Sequence, residues 1–197
     1  PSLTNLGSSG QDLTLTAGAG DVSFWGAVGN ATRLGAIVIN SAANVEADST
    51  LTAASVVQKA GSGTTTLGGA VNTNTLAGVQ LTGTDLVVNA TLTTTGGGGV
   101  TINEAGTVTL DVTGDNVADG AVSLAGGGGI WTGGDVTTAG ANVTFVSATT
   151  LTGPVTIDSG GGDIRFQSTL DGTTAGTENL TLTAGAGDVS FSGAVGN

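Results

Sequence analysis

The chain has 197 residues, a formal net charge of −12 at pH 7 and only 9% charged residues. Its three basic residues, Arg33, Lys59 and Arg165, are too few to neutralise a phosphate backbone or an anionic lipid surface, so we expect neither nucleic acid nor a membrane as partner. The chain contains no Cys, which excludes a disulfide framework and thiolate metal sites. No apolar run approaches the ~20 residues that span a bilayer, and we expect no membrane insertion within this segment.

The composition indicates an all-β protein. It includes 37 Gly and 35 Thr, and 38% of the residues are hydrophobic. Thr and Val favour pleated strands, whereas Gly marks the turns between them. The apolar fraction is sufficient for a core even though low charge and many glycines are also found in disordered chains.

A long internal repeat organises the chain. Residues 11–30 return as residues 178–197, with 17 of 20 positions identical. The three differences are Gln11/Glu178, Asp12/Asn179 and Trp25/Ser192. We interpret residues 1–197 as a single β-solenoid segment that holds one 167-residue super-repeat (11–177) and the start of the next copy at 178. Because the chain starts at Pro1 without Met, we expect it to be a piece of something longer.

A shorter repeat lies inside the long one. Residues 18–24 align with residues 61–67, and related segments occur at 160–166 and 185–191. The spacings are 43 residues for the first pair and 25 for the last pair, which fit two coils and one coil of about 20–25 residues. Periods of this size are typical of solenoids, in which one unit cannot bury its apolar face alone.

Within the units the apolar residues alternate with period 2, as in Val22-x-Phe24 and Ile37-x-Ile39, so each run predicts a short strand with one buried face. A sandwich of hairpins would need two-residue Asn-Gly or Asp-Gly turns between neighbouring strands. Two Asp-Gly pairs exist, but they do not recur at hairpin spacing. We therefore predict a parallel β-helix (β-solenoid) of roughly 8–9 coils, which would be ~40 Å long at ~4.8 Å per coil. The glycine runs 96–99 and 126–129 are predicted corners.

The predicted core ladder collects the inward positions of these runs. Phe24, Leu67, Phe166 and Phe191 are expected to share one ladder. The predicted core residues are Val22, Phe24, Val28, Ile37, Ile39, Leu67, Val71, Val79, Leu81, Val143, Phe145, Ile164, Phe166, Leu170, Leu180, Leu182, Val189 and Phe191.

The pattern Asn-Leu-Thr-Leu-Thr-Ala-Gly-x-Gly-Asp-Val-x-Phe-x-Gly-Ala-Val-Gly-Asn, followed in the first copy by Thr32-x-Leu34-Gly-Ala-Ile-Val-Ile, resembles the repeat regions of very large bacterial surface proteins of the filamentous-haemagglutinin-like, β-strand-repeat type. The likeness covers essentially the whole chain. It implies a right-handed parallel β-helix, an extracellular or cell-surface location, and a role in adhesion or matrix. We expect a structural repeat of a fibre, stalk or filament, whose partners are neighbouring copies in tandem or end to end.

A second hypothesis is a solenoid binding module that recognises a glycan, a host surface or ice through one outward face. An ice-binding face would need an unbroken Thr array. In this sequence, however, Thr alternates with other residue types at the outward positions. Trp25 is the contact candidate, because its repeat partner is Ser192 and we expect its indole to face outward.

The Gly-x-Gly-Asp turns raise the possibility of a metal. Asp21, Asp163 and Asp188 are calcium candidates, but the tandem nonapeptide spacing of calcium-binding β-rolls is absent. The simpler hypothesis is that each Asp bonds its own turn backbone, and we expect no cofactor. A polysaccharide-cleaving enzyme would need carboxylates gathered with a base on one strand. The one local carboxylate group, Asp111 with Asp115 and Asp119, lies in an irregular segment, so we expect no enzyme.

Overall fold

The structure is a computed structural model that describes residues 10–196, and these residues form 23 β-strands and no helix. Each strand is short because Gly, Asn, Asp or Ser interrupts the apolar alternation after a few residues. The first twelve strands are β1 (Leu13–Thr16), β2 (Val22–Phe24), β3 (Leu34–Ser41), β4 (Val45–Ala47), β5 (Leu51–Gln58), β6 (Thr64–Leu67), β7 (Val71–Thr73), β8 (Val79–Gly83), β9 (Asp85–Val88), β10 (Leu92–Thr94), β11 (Val100–Glu104) and β12 (Thr107–Leu110). The remaining strands are β13 (Asn116–Ala118), β14 (Val122–Gly126), β15 (Gly129–Thr132), β16 (Val136–Thr138), β17 (Val143–Phe145), β18 (Thr149–Leu151), β19 (Val155–Asp158), β20 (Ile164–Phe166), β21 (Leu170–Gly172), β22 (Leu180–Thr183) and β23 (Val189–Phe191).

The strands stack in parallel on three faces. Face 3 is an 8-stranded sheet in the order β2-β4-β6-β9-β12-β15-β18-β21. Faces 1 and 2 belong to one 15-stranded sheet, because β5 turns the corner between them: Leu51 pairs with Val71 of β7, and Val56 pairs with Val79 of β8. From that corner, face 1 continues through β7, β10, β13, β16, β19 and β22. Face 2 runs from β1 and β3 through β8, β11, β14, β17, β20 and β23.

The number of coils can be counted along one inward position of face 2. The paired residues in this column are Leu13, Ile37, Val56, Val79, Val100, Val122, Val143, Ile164 and Val189. The solenoid has about 9 turns of roughly 21 residues, so the predicted all-β solenoid, its coil length and its coil number are confirmed. Individual coils range from 19 residues, between Ile37 and Val56, to 25 residues, between Ile164 and Val189.

The core is a set of apolar columns along the axis. On face 2, the rings of Phe145, Phe166 and Phe191 stack nearly parallel, with centroids 4.7 Å and 5.2 Å apart. On face 3, Phe24 stacks through Ala47 on Leu67 two coils away. The expected single ladder of Phe24, Leu67, Phe166 and Phe191 is therefore wrong: its members belong to two columns on different faces.

Most of the predicted core residues lie in these columns. Buried residues among them are Val22, Ile37, Ile39, Leu67, Val71, Val79, Leu81, Val143, Phe145, Ile164, Phe166 and Leu170. Four more, Phe24, Val28, Leu180 and Leu182, are partly buried and pack against the core. Val189 and Phe191 differ from the prediction, since each is 42% exposed. Both pair in register with the coil below, but no described coil covers them from above.

The two near-identical segments occupy different faces. β1 pairs with β3 on face 2, whereas its counterpart β22 pairs with β19 on face 1. Likewise β2 lies on face 3 and its counterpart β23 on face 2. Counted by faces along the chain, β22 follows β1 by seven turns and two further faces. The 167-residue repeat is therefore not a whole number of turns.

Arg33 lies in the loop that precedes β3 and forms hydrogen bonds that link the first coils. Its Nη1 donates to the backbone carbonyl oxygens of Ala53 (2.7 Å) and Asn72 (2.8 Å), and its Nη2 donates to the Asn72 side-chain oxygen. Because these acceptors lie on successive coils of face 1, the guanidinium bridges along the axis with the forked geometry that suits it.

Candidate functional site

The Asp residues of the Gly-x-Gly-Asp turns bond along the axis. Asp21 Oδ1 accepts a hydrogen bond from the backbone N–H of Asn44 in the next coil (2.9 Å), and Asn44 Oδ1 accepts one from Thr64 N–H (2.9 Å). In the same way, Asp163 Oδ1 accepts from Asp188 N–H (2.8 Å). The expectation that each Asp bonds its own turn is thus wrong for Asp21 and Asp163. The side chain at the start of a strand instead binds a donor of the coil above.

This arrangement recurs at five further Asp or Asn residues that precede or begin a strand. The other acceptor-to-donor pairs are Asp12 to Ala36, Asp85 to Thr107, Asp115 to Asp135, Asp135 to Thr156, and Asn142 to Asp163. In every pair, the side-chain acceptor is on the earlier coil and the backbone donor on the later one. We call this set the Asx ladder.

The structure places one of the three calcium candidates on a different face from the other two. Asp163 and Asp188 lie on adjacent coils before face 2, whereas Asp21 lies before face 3. Asp163 also forms an ion pair with Arg165 through its Oδ2. Among residues 10–196, no cluster of three or more metal-ligating His, Cys, Asp or Glu side chains is found.

The other candidate carboxylates are spread along the loops that flank face 1. Asp111 Oδ1 accepts the backbone N–H of Val112 (2.8 Å), and Asp115 belongs to the Asx ladder. Asp119 is approached by Gly97 N–H at 3.5 Å. Each of these three carboxylates thus has its own hydrogen-bond donor.

Trp25 projects from the first coil with 78% of its surface exposed. It follows β2 at the corner that leads to face 1 and is not covered by the neighbouring coils. Trp131 is outward on β15, where it lies in register between Thr109 and Thr150 and is 41% exposed.

The outward column of face 3 is chemically mixed. It reads Ser23, Glu46, Thr66, Val87, Thr109, Trp131, Thr150 and Asp171. No two Thr residues are neighbours in this column. The Thr array on face 3 is therefore interrupted, as the sequence indicates.

An acidic side chain lies inside the solenoid. Glu104, at the end of β11, is only 3% exposed, and neither of its carboxylate oxygens accepts a hydrogen bond of normal geometry. Its neighbours in register are Gly83 below and Gly126 above. A Cβ on Gly83 would lie 2.9 Å from Glu104 Oε2 and 3.1 Å from the Nε2 of buried Gln58. Both polar side chains therefore border the space that Gly83 leaves.

The interior environment disfavours the charged form of Glu104. Burial raises the pKa of Glu104 to about 7, the nearby Asp85 carboxylate adds to the rise, and the backbone of Gly83 opposes it. Asp85 behaves oppositely, because hydrogen bonds from Thr107 N–H (2.7 Å) and Thr107 Oγ1 (2.9 Å) stabilise its charge and lower its pKa.

Sequence reasoning missed Glu104, although a signal exists. Val100-x-Ile102-x-Glu104 continues the period-2 alternation, so the pattern places Glu104 on the inward side of its strand. Gln58 follows Val56 in the same manner, and Asn116 precedes inward Ala118. All three are buried.

The two ends of the described solenoid are open sheet edges. On the last coil, Val189, Phe191 and Val195 are 42%, 42% and 56% exposed. A shallow groove there is lined by residues that include Leu170, Leu180 and Val195. On the first coil, a second groove lies between β1 and β2 and includes Leu15, Val22 and Phe24. Both cross-sections of the described solenoid thus leave apolar side chains of the core columns accessible.

The fold places the chain in the class of parallel β-solenoids. No protein-family model, curated protein or solved structure matches it. Among the described residues, none forms a helix of the length and apolarity required to cross a membrane.

Proposed function

We propose that this chain is a structural repeat of an extended extracellular or cell-surface fibre, stalk or filament. The observation that carries the proposal is the position of the second copy. Its strands β22 and β23 stack in register on β19 and β20, so the repeated sequence enters the columns of the coils before it. A tandem array of this unit would extend the same solenoid without a new domain boundary. The resemblance to large bacterial surface proteins supports the extracellular location.

The mechanism of such a repeat is mechanical. Backbone hydrogen bonds, the Asx ladder and stacked rings all run parallel to the axis, so an axial load passes through every coil interface and is shared there among these contacts. Each interface is one strand spacing, ~4.8 Å, and gives a stiff rod with little extension per residue. The net charge of −12 opposes side-by-side bundling of rods.

A two-copy chain tests this proposal directly. Residue 177 of one copy is followed by residue 11 of the next, which preserves the natural spacing of the repeat. The rod should lengthen from ~43 Å to ~80 Å, because 167 residues add seven turns and two faces at ~4.8 Å per turn. Small-angle scattering and electron microscopy measure this length.

A matched control carries ten Gly/Ser residues at the junction. It has the same two copies but loses the register between them, so it should show two flexibly joined rods. Two separate particles in the chain without the insert would contradict the proposal. Antibody labelling of intact producing cells tests the location, which is wrong if the epitope is reached only after lysis.

A further inference from the structure

We infer that the last coil of this chain, residues 178–196, binds the first coil of a second copy, residues 11–30, head to tail and turned by one face. The inference rests on the proposed function and names a partner for the last described coil. In this stack, β1 of the second copy covers β22 of the first, and β2 covers β23.

The chain already contains the required interface. The turn and strand at residues 185–191 lie in register on the related segment at 160–166. In that pair, Val189 covers Ile164, Phe191 stacks on Phe166 with centroids 5.2 Å apart, and Asp188 N–H binds Asp163 Oδ1 at 2.8 Å. A Gly-x-Gly-Asp turn can therefore pack on a related Gly-x-Gly-Asp turn.

Residues 18–24 of a second copy match residues 185–191 in every position. They can repeat this packing one coil higher. Phe24 would then lie over Phe191 and Val22 over Val189, which covers the apolar residues exposed on the last coil.

The first coil also has the matching lower surface. A Cβ on Gly187 would lie 2.2 Å from the carbonyl oxygen of Gly162, so this position must be glycine for the two turns to approach. Gly20 is the equivalent residue, yet the atoms near its Cβ belong only to Ala17 of its own turn. Similarly, Asp21 N–H has no described acceptor, whereas its equivalent Asp188 N–H is bound. Among residues 10–196, no coil lies beneath residues 18–24 as residues 160–166 lie beneath residues 185–191.

The positions that differ between the two coils favour the stack. Glu178 would face Gln11 and Asn179 would face Asp12, so neither pair places acid on acid. Trp25, the third difference, would face the small Ser192. These pairings require that the second copy be rotated by one face, because only that orientation aligns the two segments residue by residue.

Engineered disulfides test the orientation, since the natural chain has no Cys. Ser23, Ser190 and Thr14 are outward and exposed. In the proposed stack Ser23 lies directly above Ser190, at the ~4.8 Å strand spacing that a disulfide accepts. The variant S23C/S190C should therefore form a ladder of covalent multimers under mild oxidation. Its control, T14C/S190C, is aligned only if the second copy keeps its faces unrotated, and it should form no covalent multimers.

A ladder from T14C/S190C, from both variants or from neither overturns the inference, provided that circular dichroism shows all variants folded. A continuous two-copy rod together with unlinked S23C/S190C would refute this inference and leave the proposed function intact. Without oxidation, Asp188→Ala should raise the concentration at the midpoint of assembly about fivefold to tenfold, as expected for one lost hydrogen bond. Asp188→Asn keeps the acceptor, as Asn44 and Asn142 do, and should assemble like the natural chain. Equal midpoints for Asp188→Ala and Asp188→Asn would contradict the role of Asp188.

In electron micrographs, filaments of separate chains should show an axial rise of ~42 Å per copy, which is one coil more than in the tandem chain. Successive copies are related by one-third of a turn, so the pattern should repeat after three copies. A repeat after every copy contradicts the one-face turn.

Discussion

Replacing the interior acid Glu104 with Gln should stabilise the solenoid above neutral pH and leave it unchanged in acid. The pKa of Glu104 is about 7 in the folded chain, against an ordinary value of 4.5. The folded state therefore holds its proton more tightly than the unfolded state. The stability linked to this proton is complete below pH 4.5, decreases as the pH rises from about 4.5 to about 7, and is lost above that range.

The size of the effect follows from the two pKa values. Each pKa unit corresponds to about 1.4 kcal/mol, so the shift of Glu104 corresponds to about 3 kcal/mol. Glutamine has nearly the shape of the protonated acid but no charge to bury. Relative to the natural chain, Glu104→Gln should gain about 3 kcal/mol of unfolding free energy at pH 8 and almost nothing at pH 4.

Equilibrium denaturation at a series of pH values between 4 and 8 measures this difference. Glu46→Gln is the matched control, because Glu46 is exposed on the outward side of β4 and its replacement removes no buried charge. Asp85→Asn should move the step to lower pH, since the Asp85 carboxylate contributes to the raised pKa. A Glu104→Gln effect that is equal at pH 4 and pH 8 would refute the reasoning.

Three further substitutions probe the packing of the solenoid by equilibrium denaturation. Phe166→Ala should cost about 3–5 kcal/mol, because the ring is 1% exposed and stacked on both sides; Phe191→Ala should cost clearly less, and equal losses would contradict the stacking argument. Arg33→Ala should cost about 1.5–3 kcal/mol through the lost charge-assisted bonds, and a full recovery by Arg33→Lys would show that only the charge matters. Trp25→Ser, which installs the residue of the other copy, should change stability by less than about 0.5 kcal/mol, and a larger loss would show that the exposed indole is packed.

Much of the fold could be predicted from residue spacing alone. The 43-residue offset correctly joins Phe24 to Leu67 two coils away, and the 25-residue offset joins Phe166 to Phe191 one coil away. Period-2 alternation identifies the inward side of each strand, because neighbouring side chains point to opposite sheet faces.

The assignment of residues to faces could not be predicted. Loops at the corners change the coil length between 19 and 25 residues, and sequence similarity does not record how many corners have been passed. Similar sequence therefore placed Phe24 and Phe191 in one column, although β2 and β23 lie on different faces. The interior acid was missed for another reason. Glu104 follows the inward pattern, but a charged residue is not expected in a core. Only the structure shows that the glycines beside it, Gly83 and Gly126, leave room for its side chain.

The Asx ladder makes the two ends of the solenoid chemically different. This polarity limits which ends of two chains could stack on each other. In each of its pairs the side-chain acceptor is on the earlier coil and the N–H donor on the later one, as for Asp163 and Asp188. Two last coils brought face to face would oppose acceptor to acceptor and reverse the parallel register, so a closed head-to-head dimer cannot reproduce these contacts. A last coil can meet a first coil, where Asp21 supplies the donor. Such a heterologous contact leaves a new open end after every addition. The proposed stack of last coil on first coil would therefore give a polar filament and not a closed oligomer.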